Sequence, residues 1–395
     1  MVKLFILSRT WGYRDAHGNF RTQALDGNYI NKLGACFREV TLAMVVVDPS
    51  EFNFVGAYRG ALARQIGVFA LKQTIRGSAI KKAQAQLTNF AGILREMYSS
   101  GHVVVFMSSL SAVLTALGAR AFGKKLLVYS GNDWAIDTSL KFARAPPPLR
   151  RLATTVTDLL ETLVLRVADV RLVNSPQLFE KCQRLRGSSE RVQPVSQFRR
   201  SDAFFREDTC RTERQLIVYP AAVIPRKNHA TLLHALARLR ARGVYAEVLL
   251  AGSVESEQIK AELSGLAATL GICEQVRFLG YVAGKEEMLA LLRSADVFVL
   301  PSLNEGFPRV IWEAMLQSLP CAVSRIPNIV TDIGQRDVAL MFDPMDANEM
   351  AIALHRIITD GDLRRRLIRK GHEYACGVFA ETWDEQLSRV MRVWV

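Results

Sequence analysis

The segment Pro301–Met315, P-S-L-N-E-G-F-P-R-V-I-W-E-A-M, holds Glu305 and Glu313 eight residues apart, with Gly306 and Pro308 between them. It follows the aliphatic run Val297–Leu300, the pattern of a strand, a short loop and a helix expected to start near Phe307 with Pro308 in its first turn. A helix N-terminus beyond a strand end presents unpaired N–H groups and a positive dipole end, which suit a diphosphate. Carboxylates are acceptor-only groups, so one just before such a helix and one about two turns in suit sugar hydroxyls. Gly306 lets a ligand approach the backbone closely. A second junction lies upstream: Gln215–Tyr219 runs into P-A-A-V-I-P-R-K-N-H, setting Arg226 and Lys227 on a strand-to-helix loop with Asn228 expected as the N-cap of the next helix. Cations there would neutralise a leaving diphosphate.

These residues need a scaffold, and the chain supplies one by alternation. Strands are expected at Lys3–Leu7, Thr41–Val47, His102–Met107, Lys125–Tyr129 and Val170–Val173, with helical patterns near Gly27–Cys36, Lys81–Tyr98, Ala112–Phe122 and Leu149–Val167. A charged stretch, Val195–Arg214, interrupts the pattern, which restarts at Gln215 and continues through Glu247–Ala251, Gln275–Leu279, Val297–Leu300, Cys321–Ser324 and Ala339–Phe342. The expected fold class is α/β, two doubly wound Rossmann-like domains facing across a cleft, with ligands beyond the carboxyl ends of the strands. The expected boundaries are 1–200, 201–378 and a terminal helix 379–395 that packs on the first domain through Trp383, Leu387 and Val390.

Composition supports a globular chain: 395 residues, 49% hydrophobic and 23% charged, exclude disorder and a small disulfide scaffold. The six cysteines form no C-x-x-C pair and read as reduced thiols of a cytoplasmic protein. The apolar start stops at Arg9, too short for a secretory signal, and Val103–Ala119 splits into a strand and a helix instead of a membrane span. Charge is lopsided: residues 1–200 carry a net +15 and the remainder −2. A basic half implies an anionic partner, and Lys72, Arg76, Lys81 and Lys82, with Lys141, Arg144, Arg150 and Arg151 beside the amphipathic stretch Leu152–Val167, suit an anionic membrane surface. The competing assignment for Leu159, Leu160, Leu163 and Leu165 is core packing.

Other chemistries lack their first requirement. No G-x-S-x-G, Walker A or G-x-G-x-x-G follows a strand, and no nucleic-acid module signature accompanies the basic half, so no specific nucleic acid is expected. D-G-D at Asp360–Asp362 matches a metal-binding pattern but reads as a helix N-cap; the histidines show no ligand spacing, and His17 lies in a Gly-containing early loop.

Over both domains, and sharply from about Gln215 to Ser324, the chain resembles the GT-B fold glycosyltransferases, and within them the retaining enzymes of family 4, related to bacterial polysaccharide mannosyl-, glucosyl- and N-acetylglucosaminyltransferases. The carriers are Glu305–Glu313 with its E-G-F-P core, Arg226-Lys227, F-L-G-Y at Phe278–Tyr281, S-A-D-V-F-V-L-P-S at Ser294–Ser302, and A-D-V-R-L-V-N-S at Ala168–Ser175. The resemblance implies that Glu305 binds the donor hexose, Glu313 the ribose, and Arg226 and Lys227 the diphosphate. It implies backbone contacts from Gly306 and Phe307, or from Arg309 in place of Pro308, and a nucleobase near Tyr281 and Val282. Two features depart from the family. A Gly-Gly phosphate loop after the first strand is replaced by Arg9–Gly27, with Gly27 nearest that role. Where a histidine often meets the reacting sugar, this chain has Asn132 or Asp133. The implied substrates are a nucleotide diphosphate sugar and a glycan or lipid-diphosphate-linked acceptor, without a metal or other cofactor, at the cytoplasmic face of the inner membrane. The alternatives are a nucleotide-sugar epimerase of the same fold and a non-catalytic binder of nucleic acid or an anionic surface.

Overall fold

The computed structural model describes residues 3–22, 24–48, 60–72, 79–107, 109–131, 133–142, 145–192, 196–306 and 308–394. The chain divides into two compact units, one of residues 1–195 with 383–395, the other of residues 196–382.

In the first unit, β1 (Lys3–Arg14), β2 (Phe20–Thr22), α1 (Ala24–Ala35), β3 (Glu39–Val46), β4 (Gly60–Ala61) and β5 (Ile66–Leu71) precede α2 (Ala79–Tyr98). Then come β6 (His102–Phe106), α3 (Leu110–Ala121), β7 (Lys125–Ser130), α4 (Trp134–Lys141), α5 (Pro147–Val167), β8 (Val170–Val173), α6 (Pro176–Gln183) and β9 (Ser188–Arg191). Parallel pairing runs β5-β3-β1-β6-β7-β8-β9. Successive side chains of β1 alternate faces: Phe5 and Leu7 pack with α2, α3, α5 and α6, while Leu4 and Ile6 pack with α1. Both faces are therefore apolar, and inner strands such as His102–Phe106 are buried almost throughout.

The early segment differs from expectation. β1 continues past Leu7 through a register shift to Arg14 and returns as an antiparallel hairpin with β2. The turn is built by Asp15, whose Oδ1 accepts from the His17 and Asn19 amides, and by Gly18 at φ +82°. His17 is an exposed turn residue.

The second unit contains β10 (Gln215–Tyr219), α7 (His229–Ala241), β11 (Ala246–Ala251), α8 (Glu257–Thr269), β12 (Val276–Gly280), α9 (Lys285–Ser294), β13 (Val297–Leu300) and α10 (Arg309–Leu316). β14 (Cys321–Ser324), α11 (Pro327–Ile333), β15 (Leu340–Phe342), α12 (Ala347–Thr359) and α13 (Gly361–Val378) complete it. Its six strands are parallel in the order β12-β11-β10-β13-β14-β15. The boundary expected at 200 falls at 195, because Phe198 is buried in this unit's core and the Phe204 amide donates to the Leu316 carbonyl at 3.0 Å. The boundary expected at 378 falls at 382.

The last helix, α14 (Trp383–Trp394), belongs to the first unit. Leu387, Val390, Met391 and Trp394 have the i, i+3, i+4, i+7 spacing of one helical face and are buried with Leu4, Ile6 and Leu33. The Trp394 ring meets His102 at 4.9 Å, and Lys125 Nζ donates to the Trp394 carbonyl at 3.2 Å. The side chain of Trp383 lies outside the described residues.

Candidate functional site

β10 and β13 are adjacent, with Ile217 opposite Val297. From β10 the chain winds outward through α7 to β11, and from β13 it winds the other way through α10 to β14. The pair is thus the switch point of the sheet, where the loops leaving the carboxyl ends diverge and open a crevice. Arg226 and Lys227 leave β10 in a single 3₁₀ turn, Pro225–Lys227, and Glu305 leaves β13 on the neighbouring loop.

Side chains that sequence reasoning did not single out hold the two loops together. The buried Tyr219 hydroxyl donates to the Lys227 carbonyl at 2.9 Å and lies 3.2 Å from Ser302 Oγ, so Ser302 is the donor in that second bond. The Leu303 amide donates to the Arg226 carbonyl at 3.0 Å. Asn328, at the start of α11, donates through Nδ2 to the Glu305 carbonyl at 2.7 Å. Asn228 occupies the N-cap position of α7, but its side chain does not cap the helix. Held at φ +57°, it donates instead to the Pro301 and Pro344 carbonyls at 3.0 and 2.7 Å. These two bonds tie the start of α7 to the segments that follow β13 and β15 in place of a helix cap.

Within this frame Lys227 Nζ pairs with Glu305 Oε1, and Arg226 Nη1 donates to the Asn304 carbonyl at 2.6 Å while lying 3.5 Å from Glu305 Oε2. The Glu305 and Lys227 side chains are only 9% and 15% exposed. Burial pulls the Lys227 ammonium below the usual lysine range, Glu305 opposes this, and Arg226 and Arg309 add to the depression. Two cations therefore share the Glu305 carboxylate with a third, Arg309, near Lys227, an arrangement that favours an incoming anion. His229, the first residue of α7, stacks against Tyr219 at 4.9 Å; burial, helped by Lys227, pushes its imidazole down to about 4, so it is neutral near pH 7.

α10 starts at Arg309, two residues later than expected, with Pro308 at the N-cap at φ −79°, ψ 72°. Pro308 has no N–H, and the Ile311 amide is engaged by the Pro308 carbonyl at 2.9 Å. Gly306 is buried beside this terminus, and Phe307 lies outside the described residues. Glu313, one turn into α10, is buried; its Oε1 accepts from Ser196 Oγ at 2.6 Å and lies 3.8 Å from Arg309 Nε. Tyr281 and Val282 follow β12 on the same carboxyl edge, where Gly280 at φ +74° turns the chain, and Tyr281 is 47% exposed.

The other singled-out residues belong to the first unit. Asp133 Oδ1 accepts from the Ile136 amide at 3.0 Å and so caps α4; Asn132 lies outside the described residues. Gly27 sits in the first turn of α1, where an added Cβ would lie 3.4 Å from Gly60 Cα, so close packing accounts for the glycine. Sequence reasoning missed Glu161 on α5. It is fully buried, accepts from the Trp134 amide at 3.2 Å and from Lys181 Nζ at 3.4 Å, and so holds the peptide beside Asp133. Burial, with Asp133 adding, pushes its carboxyl up to about 7 against the pull of Lys181. The available signal was an acidic residue among inward-facing Leu160, Val164 and Leu165.

Asp360 accepts from the Leu363 amide at 3.0 Å as the N-cap of α13, and Asp362 pairs with Arg365 at 2.6 Å. Among the described residues no group of three or more His, Cys, Asp or Glu side chains is placed to hold a metal ion.

Comparison with known proteins bears on the unit that carries these loops. Residues 201–374 match the family model described as glycosyl transferases group 1. The chain is 29% identical over 219 residues to the lipopolysaccharide core biosynthesis glycosyltransferase LpsE of Rhizobium meliloti, covering 54% of this chain and 61% of that one. The chain spans less than two thirds of the length of the curated relatives it matches. Among solved structures, sucrose-phosphate synthase from Thermosynechococcus elongatus superposes with a TM-score of 0.71 at 19% identity, covering 99% of this chain and 98% of its own. Anabaena Alr3699/HepE in complex with UDP-glucose superposes with a TM-score of 0.69 at 15% identity over the full length of both chains. The protein has the GT-B fold, and its residues 201–374 are similar to the glycosyl transferases group 1 family.

Proposed function

We propose that the chain transfers a hexose from a nucleotide diphosphate sugar to a hydroxyl of a glycan or lipid-diphosphate-linked acceptor, with retention at the anomeric carbon, in bacterial exopolysaccharide, capsule or lipopolysaccharide synthesis. The observation that carries this reading is the Lys227–Glu305–Arg226 cluster at the switch point between β10 and β13. The donor diphosphate would take the cations, and the Glu305 carboxylate so released would accept from hexose hydroxyls. As the bond from the anomeric carbon to the phosphate oxygen breaks, charge grows on the diphosphate, where Arg226, Lys227 and the α10 N-terminus would stabilise it. The acceptor oxygen attacks from the same face, and its proton passes to the departing phosphate oxygen. Side-chain cations supply the charge compensation, so no metal is required. Glu313 would bind the ribose and Tyr281 the base, and the family resemblance assigns Asn132 or Asp133 to the reacting sugar. The lipopolysaccharide role of LpsE and the UDP-glucose bound by HepE support these acceptor and donor classes.

Contact with an anionic bilayer at the cytoplasmic face belongs to the same proposal. Leu149, Leu152, Val156, Leu159 and Leu163 form a seven-residue repeat on α5, and all are exposed, whereas Leu165 is core. Lys141, Arg150 and Arg151 flank the stripe and are exposed as well. An apolar helix face edged by cations fits an anionic interface. No helix among the described residues is long and apolar enough to cross a membrane.

Thermal shift against UDP, GDP, ADP, CMP and their sugars, with and without EDTA, tests the donor reading. An upward shift with one nucleotide series that survives EDTA is expected; no shift with any of them overturns it. Co-sedimentation with vesicles tests the membrane contact: binding to phosphatidylglycerol-containing but not to pure phosphatidylcholine vesicles is expected, and equal behaviour with both sinks it.

A further inference from the structure

Glu313 is held by a hydroxyl from the far end of its unit. Ser196 is the first residue of the second unit, 117 positions before Glu313, and its Oγ lies 2.6 Å from Glu313 Oε1. The Phe198 amide donates to the same Oγ at 3.0 Å, and Phe198 is itself buried in the core. The serine oxygen therefore accepts from Phe198 and directs its only proton to the carboxylate, which has none to give. The terminal torsion of a glutamate is broad, so a carboxylate without such a partner would sample many orientations. With Oε1 engaged by Ser196 and 3.8 Å from Arg309 Nε, one end of the carboxylate is anchored, which leaves Oε2 to meet another donor.

We propose that Ser196 is a positioning residue for ribose recognition: it preorganises Glu313 so that Oε2 meets the ribose hydroxyls at little further entropic cost. The inference rests on the reading that Glu313 binds the ribose, and it adds that nucleotide recognition depends on the segment by which the chain enters this unit.

The test is titration calorimetry of the full chain with UDP, GDP and ADP, each against its 2′,3′-dideoxy analogue, and with inorganic pyrophosphate. Wild type should bind one nucleotide at least tenfold more tightly than its dideoxy partner, the range expected for a charge-assisted hydrogen bond. Ser196→Ala should shrink that ratio to about threefold or less while pyrophosphate affinity stays within about twofold, and Ser196→Thr should restore it. If wild type binds none of the nucleotides, or binds one without discriminating against its dideoxy analogue, the reading of Glu313 fails and the inference with it. If wild type discriminates and Ser196→Ala does so equally, Glu313 keeps its role and the assignment of Ser196 is wrong. Loss of pyrophosphate binding in Ser196→Ala would make Ser196 a structural residue and overturn the assignment too.

Discussion

Lys227 and Glu305, 78 residues apart in the chain, form a nearly buried ion pair across the seam between β10 and β13, and Arg226 stands on the other carboxylate oxygen. The seam exists because the sheet winds outward in both directions from these two strands. A donor diphosphate entering here would exchange one carboxylate partner for several phosphate oxygens, so the resting pair keeps both charges satisfied until substrate arrives.

Lys227→Ala and Glu305→Ala should each lower kcat/KM for sugar transfer by roughly 10² to 10³, the range for removing one preorganised transition-state contact. Far-UV circular dichroism should match wild type. The measurement is initial-rate kinetics with the nucleotide sugar identified by thermal shift; rates within a factor of three of wild type in either variant would remove the cluster from the mechanism.

His229 gives the second unit an acid limit. Its imidazole is pushed down to about 4 in the folded state against an ordinary value of 6.5, so the unfolded chain binds more protons between those values and stability falls as pH drops through that window. The full loss is at most about 3 kcal/mol. In His229→Phe, melting temperature should depend less on pH between about 6.5 and 4 than in wild type; parallel curves would show that this histidine is not the group responsible.

Glu161 works with the opposite sign. Its carboxyl is pushed up to about 7 from 4.5, so the folded state holds the extra proton and wild-type stability declines as pH rises through that interval. Glu161→Gln keeps an acceptor for the Trp134 amide and removes the buried charge. Melting curves should show the variant gaining on wild type from pH 5 to pH 8; a constant difference would mean that Glu161 does not titrate there.

Removing residues after Glu381 strips Leu387, Val390, Met391 and Trp394 from the core of the first unit. Trp394→Ala alone should cost roughly 3 to 5 kcal/mol, the range for a buried tryptophan. The truncated chain should melt earlier in the transition that belongs to this unit, as read by calorimetry. Unchanged melting would mean that α14 adds nothing to that core.

Much of the fold is legible along the chain, because inner strands of a parallel sheet are covered on both faces and read as short unbroken aliphatic runs such as Val297–Leu300. The β1–β2 hairpin and β5 escape that reading. Trp11–Arg14 mixes polar, glycine and aromatic residues in a strand bent by a register shift, and Ile66–Leu71 is an edge strand whose glycine breaks the pattern. The site divides in the same way. Glu305, Glu313, Arg226 and Lys227 stand out because charge at a strand-to-helix junction is a local pattern. What only the tertiary structure decided is who holds them: Tyr219, Asn228, Asn328 and Ser196 act on partners up to 117 positions away, and Glu161 on a peptide 27 away. A hydrogen bond needs its partners within about 3 Å, and only the order of strands in the sheet brings them there.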